Sequence, residues 1–275
     1  MMKLSILGYG AWGSALDEYF SSIGHKIIVN KIDDSDAILV CVPSDATISV
    51  LSNYKKEIKD QKIIICSKGF ASPEKLLSEA IMEEFDNDLY FLYGPTLADE
   101  IKKGKYSAIV ISGKKEKEYL KKEFESEKLL VELSDDIIGT QVGSALKNVV
   151  NIFIGITEGA GCGQNTQALI FTKGVEEIKK IGIALGADPN TFLGLTCIGD
   201  LTLHSRNRML GVELGKGKNL NEAMTEANYV LEGVITLKNI RSLAKKHKIK
   251  IPFIDILYAI MFENMDIEEG IRSIR

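Results

Sequence analysis

Lys147 and Asn148 stand inside an apolar run, Ala145-Leu146-Lys147-Asn148-Val149-Val150, whose helical spacing covers 141–157. An ammonium among aliphatic neighbours is expensive to bury, so this lysine has two readings. It snorkels from an amphipathic helix, or it is held in a cleft. In a cleft, burial and a neighbouring cation would lower its pKa and make it an acid/base. Gly143, Ser144 and Ala145 favour the cleft, because small residues let a second segment or a ligand come close. A second lysine, Lys68, lies in Ser67-Lys68-Gly69 just after the apolar stretch 62–66. At the carboxyl end of a parallel strand it would point into the ligand crevice; in an ordinary loop it would be solvated. Ser205-Arg206-Asn207 sets a guanidinium beside a hydroxyl and an amide, donors suited to a phosphate monoester. Arg206 and Arg208 also read as a surface pair, and the plainer role for His204 is structural or surface.

These residues need elements to position them. Leu4 to Leu7 reads as a short buried strand, followed at once by Gly8-Tyr9-Gly10-Ala11-Trp12-Gly13 and then helical spacing to Ile23. Gly-x-Gly-x-x-Gly between a strand and a helix is the context in which the motif holds a dinucleotide. The first glycine permits the turn, the second admits the pyrophosphate, and the third lets helix and strand pack. Helix N-terminal amides then face the phosphates. Gly8, Gly10, Ala11, Trp12 and Gly13 are therefore candidate cofactor contacts, with Trp12 covering the ligand or serving as a core aromatic. The second strand, 26–29, ends in Asn30 and Lys31, where NAD-binding chains usually carry an acid. An amide and a cation suit a 2′-phosphate, so the cofactor is NAD or NADP, and a pair of solvated turn residues is an equal alternative.

Further strands are expected over 37–42, 62–66, 89–93, 106–112 and 129–133, with helices from 44 to 54, 73 to 84 and 114 to 126. After Ile138 only helical spacing appears, over 141–157, 164–184, 190–200, 220–228, 232–248 and 252–263. The expected architecture is an α/β N-terminal Rossmann-like domain with a mainly parallel sheet over 1–137, and an all-α C-terminal domain over 138–275.

Taken in order, the motifs resemble the bacterial-type NAD(P)-dependent glycerol-3-phosphate dehydrogenases over nearly the whole chain. Gly-x-Gly-x-Trp-Gly, Ser67-Lys68-Gly69, Gly94-Pro95-Thr96-Leu97-Ala98-Asp99-Glu100, Ala145-Leu146-Lys147-Asn148, Gly199-Asp200-Leu201, Ser205-Arg206-Asn207, Val230-Leu231-Glu232-Gly233 and Ile251-Pro252-Phe253 carry the likeness. The resemblance implies Lys147 as the catalytic acid/base. It implies substrate contacts from Lys68, Gly94, Thr96, Asn148, Asp200, Ser205, Arg206 and Asn207. It places Lys31, Lys68, Ala98, Arg206, Val230 and Glu232 with the cofactor. The resemblance implies interconversion of sn-glycerol 3-phosphate and dihydroxyacetone phosphate, the glycerol 3-phosphate supplying the glycerol backbone of phospholipids. Two alternatives stay open: a related two-domain hydroxy-acid dehydrogenase, and a nucleotide-binding relative without catalysis.

The chain departs from the family after Lys31 and after Asp200, where it is shorter. Between strands 26–29 and 37–42, a crossover must recross the sheet, about 20 Å, and six or seven extended residues span roughly 20–24 Å. The link is therefore expected to be extended, with no helix and with one wall of the adenosine pocket missing.

Composition limits the remaining classes. The 275 residues are 45% apolar and 26% charged with a net charge of -4, which argues against broad attraction to nucleic acid. Four cysteines without close spacing read as reduced thiols of a cytoplasmic protein. Met1-Met2-Lys3 runs straight into strand spacing and leaves no room for a signal peptide. The run 149–156 is too short to span a bilayer, no metal site is expected, and a homodimer through the helical domain is left open.

Overall fold

The structure is a computed structural model that describes residues 1–71, 74–227 and 231–274. Seven strands form one sheet: β1 (Lys3–Leu7), β2 (Lys26–Val29), β3 (Ala37–Val40), β4 (Lys62–Ile65), β5 (Leu89–Tyr93), β6 (Ser107–Gly113) and β7 (Leu129–Ser134). Their order is β2-β1-β3-β4-β5-β6-β7, parallel except where β5 meets β6. Apolar residues on both faces explain the continuous aliphatic runs, since helices cover each side of a parallel sheet. Leu4, Ile6, Leu39 and Ile64 pack on one face with α1 (Ala11–Ser22) and α5 (Lys117–Phe124). Ile38, Val40, Ile63 and Ile65 pack on the other with α2 (Thr47–Asn53) and α3 (Leu77–Met82). The short α4 (Ala98–Lys102) follows the loop after β5.

The link from β2 to β3 contains no helix, as its length requires, but it is not extended throughout: Asn30 and Asp34 take left-handed backbone at φ +52 and φ +35. It is anchored at both ends: Asn30 N–H donates to Ile6 O at 2.8 Å, and Asp36 N–H donates to Lys3 O at 2.8 Å. Ile32 is buried midway. β2 is thus the edge strand of the sheet.

From residue 137 onward the described chain is helical: α6 (Ile137–Gly159), α7 (Gln164–Ala184), α8 (Arg206–Gly215), α9 (Leu220–Ala227), α10 (Glu232–Lys246), α11 (Pro252–Phe262) and α12 (Ile267–Ser273). Asp136 starts α6 by accepting Gly139 N–H at 2.8 Å, and its other oxygen takes Asp188 N–H and the Thr191 hydroxyl. The helix is longer than its apolar core suggests. Length and composition would let it cross a bilayer, but 89% of its apolar window is buried inside the protein, so it is the axis of the helical core. Glu177 of α7 is buried and accepts Phe253 N–H and Ile254 N–H at the start of α11.

Three helical expectations change. The region 190–200 is not one helix: a 3-10 turn (Thr191–Leu193) and a π turn (Leu195–Gly199) meet at Gly194, whose backbone is extended. The helix expected from residue 73 begins only at Leu77, with Glu79 accepting Leu76 N–H at 2.9 Å; Pro73 lies outside the described residues. α8 was not expected, because its apolar stripe is weak. Its partner contact is made by backbone: a Cβ on Gly211 would strike Ile152 O, and one on Gly155 would strike Arg208 O.

Candidate active site

The loop after β1 has the shape its glycines predict. Gly8 has φ +94, and a Cβ there would lie 2.6 Å from Val42 Cγ1 and 2.8 Å from the Cys41 carbonyl carbon. A Cβ on Gly13 would strike Gly8 O, so helix and strand touch here, whereas one on Gly10 would meet nothing within 4 Å. Gly10 is the N-cap of α1 and no side chain caps that helix. Open space in front of uncapped amides is what a dinucleotide pyrophosphate requires, so these residues fit such a group. Trp12 is half-buried against the core beneath α1, and Ala11 is exposed. Lys31 is exposed on the turn after β2, and Asn30 spends its Oδ1 on Gly8 N–H at 2.9 Å. That oxygen is already committed within the protein, so Asn30 keeps only its amide nitrogen for a ligand.

Lys147 and Lys68, 79 positions apart in sequence, converge on one carboxylate. Lys147 Nζ donates to Asp200 Oδ1 at 2.9 Å and Lys68 Nζ donates to Asp200 Oδ2 at 2.6 Å. Asp200 is 1% exposed and Lys147 is 5% exposed. Lys68 also donates to Gly94 O at 2.9 Å. Each partner is placed by local structure. Lys147 comes from the middle of α6. Lys68 follows β4, on a loop pinned by Tyr93 Oη donating to Ser67 O at 2.8 Å. Gly94 has φ +150, where a Cβ would lie 2.6 Å from Ala108 O. Asp200 emerges from the π turn, which lies against α6 at Gly143: a Cβ there would be 3.0 Å from Cys197 Cβ. Ser144 Oγ donates to Thr196 O at 3.2 Å on the same contact. The small residues before Lys147 therefore admit a second segment, the one that brings Asp200.

Burial depresses the pKa of Lys147, and the Lys68 charge pushes the same way; Asp200 opposes both. One carboxylate shared by two ammonium groups leaves the cleft with excess positive charge, which suits an anionic ligand. Burial, with the Asp200 charge beside it, also drives the neighbouring Cys197 thiol up to about 12, so it is an inert packing group. The four cysteines are unpaired, with Cys66 and Cys197 buried.

The remaining expected residues fall into three groups. Asn148 and Asn207 meet: Asn207 Nδ2 donates to Asn148 Oδ1 at 3.0 Å, and Asn207 Oδ1 accepts Gly233 N–H at 3.1 Å. The two amides tie α6, α8 and α10 together, so much of Asn207 is spent on the protein. Ser205 caps α8 by accepting Arg208 N–H and is buried, while Arg206 is exposed at the first position of that helix. Thr96 donates to Gly94 O at 3.3 Å, and Ala98 opens α4 a few residues on. Arg208 is turned away to Glu158 and Gln167. His204 is exposed and lines a surface recess with Glu158, Met209 and Glu213, apart from the Lys147 group. Val230 lies outside the described residues.

Glu232 has a partner that the sequence did not suggest. Its two oxygens accept Ser44 N–H at 3.0 Å and Ser44 Oγ–H at 2.8 Å. This joins the first turn of α10 to the loop after β3, over Gly69, where a Cβ would lie 2.8 Å from Glu232 Oε2. Burial raises the Glu232 carboxyl to about 7; the Ser44 bonds hold it down and Asp45 adds to the rise.

Sequence comparison supplies the family. Residues 28–119 match the model for the NAD-dependent glycerol-3-phosphate dehydrogenase N-terminus, and residues 136–272 match the model for its C-terminus. A glycerol-3-phosphate dehydrogenase [NAD(P)+] of Thermoanaerobacter sp. (strain X514) is 34% identical over 319 aligned residues, covering 99% of this chain and 96% of that one. One from Fusobacterium nucleatum is 34% identical over 100% of this chain and 96% of its own length. Those alignments exceed the 275 residues present, so the chain lacks segments that these relatives carry. The crystal structure of the glycerol-3-phosphate dehydrogenase from Coxiella burnetii superposes with a TM-score of 0.94 at 25% identity, covering 99% of this chain and 98% of that one. A ketopantoate reductase from Ralstonia eutropha JMP134 shares the fold more distantly, with a TM-score of 0.62 at 16% identity over 98% of this chain and 100% of that one. On these grounds, and with the paired lysines in place, the chain belongs to the NAD-dependent glycerol-3-phosphate dehydrogenase family.

Proposed function

We propose that the chain interconverts sn-glycerol 3-phosphate and dihydroxyacetone phosphate with NAD or NADP. We divide the work between residues 1–137, which hold the cofactor, and 138–275, which supply the catalytic lysine and most of the substrate site. The observation that carries this reading is the sharing of Asp200 between Lys147 and Lys68. A bound nicotinamide would supply the hydride chemistry at C2 of the substrate. In oxidation, neutral Lys147 takes the proton of the C2 hydroxyl. In reduction, its ammonium polarises the C2 carbonyl and returns that proton. Asp200 fixes the Lys147 ammonium, and Lys68 keeps the cleft positive. Arg206 binds the phosphate at the exposed start of α8, with Asn148 and Asn207 at its inner side. Gly94 and Thr96 line the substrate side. The loop Gly8, Gly10, Ala11, Trp12 and Gly13 holds the cofactor, with Lys31, Lys68, Ala98, Arg206, Val230 and Glu232 as further contacts. Retention of the buried Lys–Asp–Lys group, which is costly unless used, speaks against a non-catalytic relative.

In this reading the enzyme works in the cytoplasm, supplies the glycerol backbone of phospholipids, and pairs through its helical half. The decisive assay is turnover of dihydroxyacetone phosphate with NADH and NADPH supplied separately. Oxidation of either cofactor that depends on this substrate is expected. Turnover only with a 2-keto acid lacking phosphate would overturn the substrate assignment.

A further inference from the structure

In this fold class the adenosine ribose lies at the carboxyl end of the second strand, with the adenine beyond it. Here β2 is the sheet edge, and the link to β3, which turns through left-handed backbone at Asn30 and Asp34, supplies no helix to wall that place. A different side chain stands at that place. Tyr54, one residue past the end of α2, donates its hydroxyl to Asn30 O at 2.9 Å. Asn30, held at φ +52, accepts Gly8 N–H through Oδ1 at 2.9 Å. A continuous chain of bonds thus runs from the phosphate loop through Asn30 to Tyr54. The tyrosine is half-buried and packs on the cluster that contains Ile32 from the shortened link. Val42, which presses on Gly8, packs on the same cluster.

We propose that Tyr54 is the adenine-binding residue of this chain, its ring replacing the wall lost with the segment after Lys31. The hydroxyl bond to Asn30 fixes the ring, and the part of the half-buried ring that reaches solvent would give the purine a flat apolar partner. Stacking of this kind does not distinguish NAD from NADP, so the contact acts on both alike. The inference rests on the dinucleotide site of the proposed function, not on the identity of the substrate.

Trp12 is the single tryptophan of the chain and lies in the first turn of α1, between Gly10 and Gly13, so its emission serves as the signal for NADH or NADPH binding. For Tyr54→Ala the dissociation constants of both cofactors should rise ~10-fold, the scale of one base–aromatic stack. The KM for dihydroxyacetone phosphate at saturating NADH should not move. Tyr54→Phe, which keeps the ring, should bind close to wild type. Cofactor affinity unchanged in Tyr54→Ala overturns the assignment. Equal losses in the alanine and phenylalanine variants also overturn it, since the hydroxyl tether would then be the whole effect. A wild-type protein that binds NADH but leaves dihydroxyacetone phosphate unreacted would sink the proposed reaction and leave the role of Tyr54 standing.

Discussion

Replacing Asp200 by asparagine removes one charge from a cleft that holds two ammonium groups. The side chain keeps its size, so the packing of the π turn against α6 is preserved. Lys68 retains its bond to Gly94 O and is partly open to solvent; Lys147 is buried and loses the one anionic partner it has among the described residues. At 2.9 Å and an effective dielectric of ~20, the attraction is about 6 kcal/mol. Relaxation and water entry recover part of that, and what remains acts on the Lys147 pKa. The direction is downward, because the burial and the Lys68 repulsion that already depress this lysine are no longer opposed. A group whose folded pKa falls is neutral over a wider pH range. Oxidation of glycerol 3-phosphate needs the neutral amine, so its acid limb should move to lower pH. Reduction of dihydroxyacetone phosphate needs the ammonium, so at neutral pH it should lose ~10²–10⁴-fold, the usual contribution of a general acid. The assay is the pH dependence of kcat in both directions for wild type and Asp200→Asn. If both limbs stay in place while activity falls equally in the two directions, Asp200 does not control the ionisation of Lys147, and the electrostatic argument is wrong.

Other substitutions probe the same site. Lys147→Ala should lower kcat by ~10²–10⁴-fold while cofactor titration by Trp12 emission stays near wild type; near-normal turnover would remove the acid/base assignment. Arg206→Ala should weaken dihydroxyacetone phosphate binding by roughly 2–5 kcal/mol and relieve inhibition by inorganic phosphate in parallel, and an unchanged KM would move the phosphate site elsewhere. Lys31→Ala should reduce any preference for NADPH, and wild type at high salt should behave the same way, because an exposed lysine is screened; a strong NADP preference that survives both would mean another element reads the 2′-phosphate. For Glu232, burial raises the folded carboxyl to about 7, so the native state holds its proton more tightly than the unfolded chain. Its contribution is present below the ordinary carboxyl range and is lost as pH rises through about 7, at no more than ~1.4 kcal/mol per pH unit. Urea unfolding should show that fall in wild type and not in Glu232→Gln; identical slopes would count against it.

Local chemistry determined much of this protein. Gly8 permits the turn, Gly10 leaves room in front of it and Gly13 lets helix and strand touch, so the strand–loop–helix unit was legible from six residues. The β2–β3 link was legible because chain length is a hard geometric limit: seven residues cannot hold a crossover helix. Lys147 stood out because a cation in an aliphatic helix needs an explanation.

Other features exist only between distant segments. Glycines at 155, 211 and 215 look like helix breakers along the chain; their value lies in letting α6 and α8 touch backbone to backbone. The π turn that aims Asp200 depends on Gly143 and Ser144 across the contact. Nothing near Ser44 or Tyr54 in sequence announces Glu232 or Asn30 as their partners. A hydrogen bond is short-ranged and takes whichever donor the fold delivers, so pairs separated by 24 to 188 positions are decided by topology. The sharing of one carboxylate by two lysines belongs to this second class, because its energy depends on distances and burial that only the packed structure sets.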